Sequence, residues 1–171
     1  MKRIIVTLCL FAGLAFAANA QKFVIVDMGY IMKNIPQFES ANQQLDLVSK
    51  KWQSEVENQL KEVQTMYKNY QTEQVFLSDD MKLKREEEII AKEKAAQELK
   101  RTYFGSEGEL FKKRESLMKP IQDEVYNAIS EICAEKNYEL VLDKSSSMNI
   151  IFSSPKLDIS DIVLQKMGYS K

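Results

Sequence analysis

Histidine is absent from this 171-residue chain. That removes His-based nucleophile triads, His metal sites and His proton shuttles together. Glycine numbers five and proline three, and no G-x-G-x-x-G or Walker-type phosphate loop can be written. Cysteine numbers two, Cys9 and Cys133. Cys9 falls in an N-terminal leader, which leaves Cys133 alone and unable to close an intrachain disulfide. Beside Ile129 and Ile132 in a helical pattern, Cys133 reads as a small buried apolar residue rather than a reactive thiol. Packing or association must then hold the fold. Beyond the leader no apolar run is long enough to span a bilayer.

The leader is MKRIIVTLCLFAGLAFAANA. Lys2 and Arg3 form a positive start, Ile4 to Phe16 is a short apolar run, and Ala18-Asn19-Ala20 is an A-x-A cleavage site. Residues 1–20 therefore read as a secretory signal peptide, with a mature chain of 151 residues starting at Gln21 and exported to the cell envelope. The leader holds two of the 24 basic residues and none of the 25 acidic ones, leaving 22 against 25 and a net charge of −3. No overall basic field exists to recruit nucleic acid.

What is present is a long helical pattern between short apolar runs. Phe23-Val24-Ile25-Val26 reads as a buried strand. Asp27 caps a short helix through Met32, which Pro36 closes. With Ser40 as N-cap, apolar residues then recur every three or four positions: Ala41, Leu45, Val48, Trp52, Val56, Leu60, Val63, Tyr67 and Tyr70. Their spacing is nearer an eleven-residue repeat than a heptad, so the helix runs nearly straight for about 50 Å. No single small globule holds such a helix, which must project.

Phe76-Leu77-Ser78-Asp79-Asp80 reads as a hairpin tip, and a second helix returns from about Asp80. Residues 79–101 carry seven acidic and seven basic side chains. This is a solvated face with i,i+4 support such as Glu88 to Lys92. The apolar stripe resumes at Ala96, Leu99, Tyr103, Leu110, Leu117, Ile121, Val125, Ala128 and Ile132. Gly105 and Gly108 inside it are either packing positions or a flexible zone, and each costs about 1 kcal/mol against Ala in a helix. Pro120 forces a restart or kink. Asn137 ends the helix. Residues 138–142 and 149–152 read as two further strands, and Asp158 caps a last helix from Ile159 to Met167 closed by Gly168.

The fold class expected is mainly α with a small β body: a long antiparallel helical hairpin, coiled-coil-like, projecting from a small oligomeric β-barrel-like base. Residues 21–40 and 119–171 form the β-containing oligomerisation body. Residues 41–118 form the arm, with its tip near 76–80. About three short strands per chain are too few for an isolated sheet and leave open edges, which association of several copies would cover.

In this order, the strand Phe23-Val24-Ile25-Val26-Asp27-Met28-Gly29, the polar hairpin, Tyr138-Glu139-Leu140-Val141-Leu142-Asp143 and the ending Asp158-Ile159-Ser160-Asp161-Ile162-Val163-Leu164 resemble the Skp/OmpH family of periplasmic chaperones over essentially the whole mature chain. The resemblance implies a homotrimer whose arms enclose unfolded outer-membrane proteins without ATP, in the periplasm, with no cofactor and no enzymatic activity. Well-known members are strongly basic. This chain is mildly acidic, and its compact basic group, Lys112-Lys113-Arg114, reads as a solvated face, so lipopolysaccharide or membrane-surface binding does not carry over.

Diffuse client contact is expected at Phe76, Leu77 and Met81 near the tip and at Phe104 and Phe111, which lie one position off the stripe. Tyr67, Tyr70 and Tyr103 lie on the stripes and read as hairpin packing. Body assembly is expected to rest on Val24, Val26, Leu140, Leu142, Ile150 and Phe152. The competing reading is a structural or adaptor coiled-coil protein of the envelope that binds one folded partner. Ser145-Ser146-Ser147 and the many carboxylates supply no base-plus-nucleophile constellation, and no catalytic, cofactor or metal residue is assigned.

Overall fold

A computed structural model describes residues 22–146 and 150–169, so the leader and Asn149 lie outside the described residues. The elements in chain order are β1 (Phe23–Val26), α1 (Met28–Lys33), α2 (Pro36–Glu73), a 3-10 turn (Gln74–Phe76), α3 (Asp79–Phe104), α4 (Glu109–Lys136), β2 (Leu140–Asp143), a 3-10 turn (Pro155–Leu157) and α5 (Ser160–Lys166). They divide into two compact units, residues 22–34 with 124 onward, and residues 35–123.

In the first unit β1 and β2 pair in parallel, Phe23 opposite Leu140 and Val26 opposite Asp143. A parallel pair requires a long crossover connection, and here it is everything between the two strands. On β1, Ile25 also bridges Asp158, with the Ile159 N–H donating to the Ile25 carbonyl at 2.9 Å. The core beneath holds Val24, Ile25, Ile31, Val125, Ile132 and Val163, all buried. Asp27 caps α1 as expected, accepting from the Tyr30 N–H at 2.8 Å. Asn137 ends α4 with φ at 56°, and the Tyr138 N–H donates back to the Cys133 carbonyl at 3.1 Å. An asparagine tolerates this left-handed conformation better than most residues.

The ends of the strands are tied by a polar cluster. The Asp27 N–H donates to Ser160 Oγ at 2.8 Å, and Ser160 Oγ donates to Asp158 Oδ1 at 2.6 Å. Lys144 Nζ lies 2.6 Å from Asp158 and 3.6 Å from Asp27. The Met28 N–H and Ser145 Oγ both donate to Asp143 Oδ1, at 3.1 and 2.7 Å. Apart from the local Ser160–Asp158 bond, each link joins segments far apart in sequence or the turns that follow the strands, so the cluster ties the ends of the sheet together.

The second unit is the helical hairpin. Ser78 caps α3 by accepting from the Met81 N–H at 3.4 Å, and Asp79 and Asp80 occupy its first turn, where a carboxylate suits the helix dipole. Val56 on α2 and Ile89 and Ala96 on α3 are buried along the seam.

Five expectations are corrected. The long helix starts at Pro36, with Ile35 as N-cap, so Ser40 lies inside it. A proline at the first helical position loses no hydrogen bond, which makes Pro36 an opening rather than a closing residue. Pro120 produces no restart and lies within α4. Ile150 and Phe152 lie in no strand, leaving two strands and a bridge among the described residues. Lys92 pairs across the hairpin with Glu62 at 3.0 Å, not along its own helix with Glu88. At Gly105 and Gly108 the helix is interrupted: α3 ends at Phe104 and α4 begins at Glu109.

Candidate functional site

The predicted contact residues of the hairpin unit fall into two groups. At the tip, Phe76 is 86% exposed, Met81 is exposed and Leu77 is half-buried. The 3-10 turn and the Ser78 cap fix the backbone there, so these side chains stand out from an ordered turn. Farther along, Phe104 is the last residue of α3 and Phe111 lies in the first turn of α4, both exposed. The fold thus gathers Phe76, Leu77 and Met81 within one turn. It places Phe104 and Phe111 on either side of the helix break.

Leu47, Leu60, Val75, Leu83 and Ile90 are also exposed and were not among the predicted contact residues. Ile89 and Ile90 are adjacent. A helix turns about 100° per residue, so once Ile89 enters the seam Ile90 must leave it. That signal was readable, but the charge run 84–88 hid the seam position itself. Tyr67, read as packing, is 54% exposed.

Between α2 and α3 near the tip lies a cleft of about 670 Å³ lined by Val63, Tyr67, Tyr70, Ile89 and Ile90, with Gln64, Lys68, Gln71, Glu86 and Glu93 around it. Tyr70 Oη donates to the Glu86 carboxylate, and this bond with the neighbouring negative charge pushes the phenol pKa up. Tyr103 Oη donates to Glu55 Oε2 at 2.7 Å and its pKa rises for the same reason. Both phenols are neutral donors at physiological pH. Acidic and basic side chains alternate around these apolar groups, as in the exposed pairs Arg85–Glu73 and Lys92–Glu62. The surface offers scattered apolar contacts in a charge-balanced field and no converging catalytic groups.

In the other unit, Val24 and Val26 are buried in the chain's own core. Leu142 and Ile150 are half-buried. Leu140 is exposed, as are Phe152 and Ile151, the last at 98%. Cys133 is half-buried and lines a groove of about 400 Å³ with Val26, Met28, Tyr126 and Leu140, and burial pushes its thiol pKa up. Among the described residues no cluster of His, Cys, Asp or Glu is placed to hold a metal, and no helix is long and apolar enough to cross a membrane.

No curated protein matches the chain. Among solved structures, that of a candidate outer membrane chaperone (OmpH-like) from Caulobacter crescentus CB15 matches with a TM-score of 0.67 at 13% identity, covering 87% of this chain and 85% of that one. At this identity the likeness is one of fold. The family model described as outer membrane protein (OmpH-like) matches residues 22–167, which takes in every element from β1 to α5. The chain therefore belongs to the OmpH-like family.

Proposed function

We propose that this protein is an ATP-independent holdase of the periplasm, which binds unfolded outer-membrane β-barrel proteins between the helical arms of a homotrimer and keeps them from aggregating. The observation that carries the reading is the hairpin surface, where Phe76, Met81, Ile90, Phe104 and Phe111 are exposed in a field of balanced charge. An unfolded barrel strand presents alternating apolar residues and unpaired backbone, which aggregate when left free. Many weak apolar contacts distributed along several arms hold such a chain through its high effective concentration, without a tight site. The family and the chaperone description of its Caulobacter relative support the same reading.

Self-association fits the other unit. A two-stranded sheet is too small to stand alone, β2 has only β1 as a strand partner among the described residues, and Leu140 of β2 is exposed, as are Ile151 and Phe152 further along the chain. A second copy would cover them.

The test is dilution of a urea-unfolded outer-membrane β-barrel protein into buffer containing the chain, without nucleotide, followed by light scattering. Suppression near one oligomer per client is the expected result. Absence of suppression across several unrelated clients, with the protein folded and oligomeric, overturns the reading in favour of an adaptor with one folded partner.

A further inference from the structure

The cleft near the tip takes one face from each helix of the hairpin. On α2, Val63, Tyr67 and Tyr70 follow one another at steps of four and three, so they line up along one side. On α3, Ile89 and Ile90 lie between Glu86 and Glu93, which stand two helical turns, about 10 Å, apart along the axis. Ile89 is buried, whereas Tyr67 and Ile90 are 54% and 49% exposed. The result is an apolar trough of about 670 Å³ with one carboxylate before the isoleucine pair and one after it.

The charges around this trough are unevenly paired. The neighbouring bases are engaged with other acids: Arg85 lies 3.7 Å from Glu73 and 3.8 Å from Glu88, and Lys92 lies 3.0 Å from Glu62. Glu86 accepts from the Tyr70 hydroxyl, and Glu93 accepts from Gln97 Nε2 at 3.2 Å. Among the described residues neither carboxylate has a basic partner. A carboxylate has about four lone-pair sites, so both keep acceptor capacity. Lys68 is the one basic residue among those lining the cleft, against these two acids. An excess of negative charge therefore borders an apolar, tyrosine-walled trough. A neutral apolar side chain would fill the trough and leave its carboxylates without a partner, and an acidic one would be repelled. A guanidinium suits both parts: its flat, weakly hydrated face stacks on an aromatic ring while its N–H groups donate to a carboxylate.

We propose that this cleft is a recognition site for an arginine side chain flanked by apolar residues on an extended polypeptide. Alternate residues of an extended chain share one face, so an apolar–x–arginine–x–apolar segment presents all three side chains to the trough together. That such a segment belongs to an unfolded client rests on the holdase reading, whereas the preference of the cleft for it does not.

The experiment titrates the chain from Gln21 onward, methyl-labelled at isoleucine, with the blocked pentapeptide leucine–threonine–arginine–threonine–leucine. A second titration uses the same peptide with citrulline, which keeps the shape of arginine and lacks its charge. Saturable shifts of the Ile89 and Ile90 methyl resonances are expected. The arginine peptide should bind roughly fivefold tighter than the citrulline peptide at low salt, with the gap closing in high salt. Equal affinities, or no shift at Ile89 and Ile90, overturn the proposal. Glu86→Gln with Glu93→Gln removes both charges and keeps an acceptor for Tyr70. It should abolish the preference while leaving the affinity of the citrulline peptide unchanged, and a preference that survives overturns the assignment to this cleft. The two peptides on the unsubstituted protein decide the matter if the variant fails to fold. Neither readout involves aggregation. Loss of suppression with the arginine preference intact counts against the holdase reading alone, and suppression without the preference counts against this site alone.

Discussion

Tyr103 lies flat against Trp52 while its hydroxyl donates to Glu55, three residues further along the same facing helix. One side chain thus makes an apolar and a polar contact to α2, at two residues less than one helical turn apart. Trp52→Ala is expected to destabilise the hairpin by about 2 kcal/mol, and Tyr103→Phe, which keeps the stack and loses the hydrogen bond, by about 1 kcal/mol or less. Urea unfolding of both variants and of the double variant checks this; simple additivity would show that the two contacts are independent.

Gly108 is buried, with three backbone atoms inside 3 Å of where a Cβ would sit. Gly108→Ala is expected to cost about 1–3 kcal/mol, because backbone cannot move aside as a flexible side chain can. Gly29, whose nearest neighbours are the side chains of Asp27 and Ser145 at 3.4 and 3.5 Å, is the comparison. Gly29→Ala should cost clearly less in the same thermal or urea melt.

Acid should loosen the sheet. Burial alone would raise the Asp158 pKa, but Lys144 and the Ser160 hydroxyl and N–H outweigh it and hold the carboxyl below its usual range. Asp143 is likewise lowered against burial, by Ser145, the Met28 N–H and Ser146. A carboxyl with a lower pKa folded than unfolded contributes stability that is complete above the unfolded value, near pH 4, and is lost as the pH falls through the folded value. The urea midpoint should therefore drop below about pH 4, and Asp158→Asn should flatten that drop while lowering stability at neutral pH. An unchanged slope in the variant would exclude Asp158 as a source.

Phe104→Ser with Phe111→Ser is expected to weaken client holding while leaving oligomer size unchanged, since both side chains are exposed. Light scattering during client dilution reads the first effect and sedimentation the second. Suppression equal to that of the unsubstituted protein would remove these residues from the contact surface.

Lys92→Ala breaks the pair with Glu62, but both side chains are about half exposed to solvent. The expected loss is under about 1 kcal/mol and shrinks further in high salt. A larger, salt-insensitive loss in urea unfolding would mean that the lysine stem packs the seam.

Much of this fold was legible because its periodicities are strong. The strand Phe23–Val26, the Asp27 cap, the tip around Ser78 and the left-handed Asn137 each follow from local chemistry. What local chemistry did not carry was pairing between distant segments. Residues 150–152 have the composition of a strand, yet without a neighbour in register Ile151 and Phe152 lie exposed. Lys92 has a good partner four residues back, yet finds a better-placed one across the hairpin. Of the contact candidates, Phe104 and Phe111 were readable as apolar residues one position off the stripe, and Phe76 as an apolar residue at the tip. Ile90 was not, because the buried neighbour that defines its face sits beside a dense run of charge.

The parallel pairing of β1 with β2 also sets an order of events. The Asp27 N–H finds Ser160 across 133 residues of chain, whereas the Tyr70–Glu86 contact spans 16. Closing a long loop costs more entropy than closing a short one, and contacts distant in sequence form slowly. The hairpin near its tip can zip as soon as its own residues are available, while the sheet must wait for the chain to return. Folding should therefore begin at the end of the molecule farthest in sequence from either strand, with the small sheet as the rate-limiting closure.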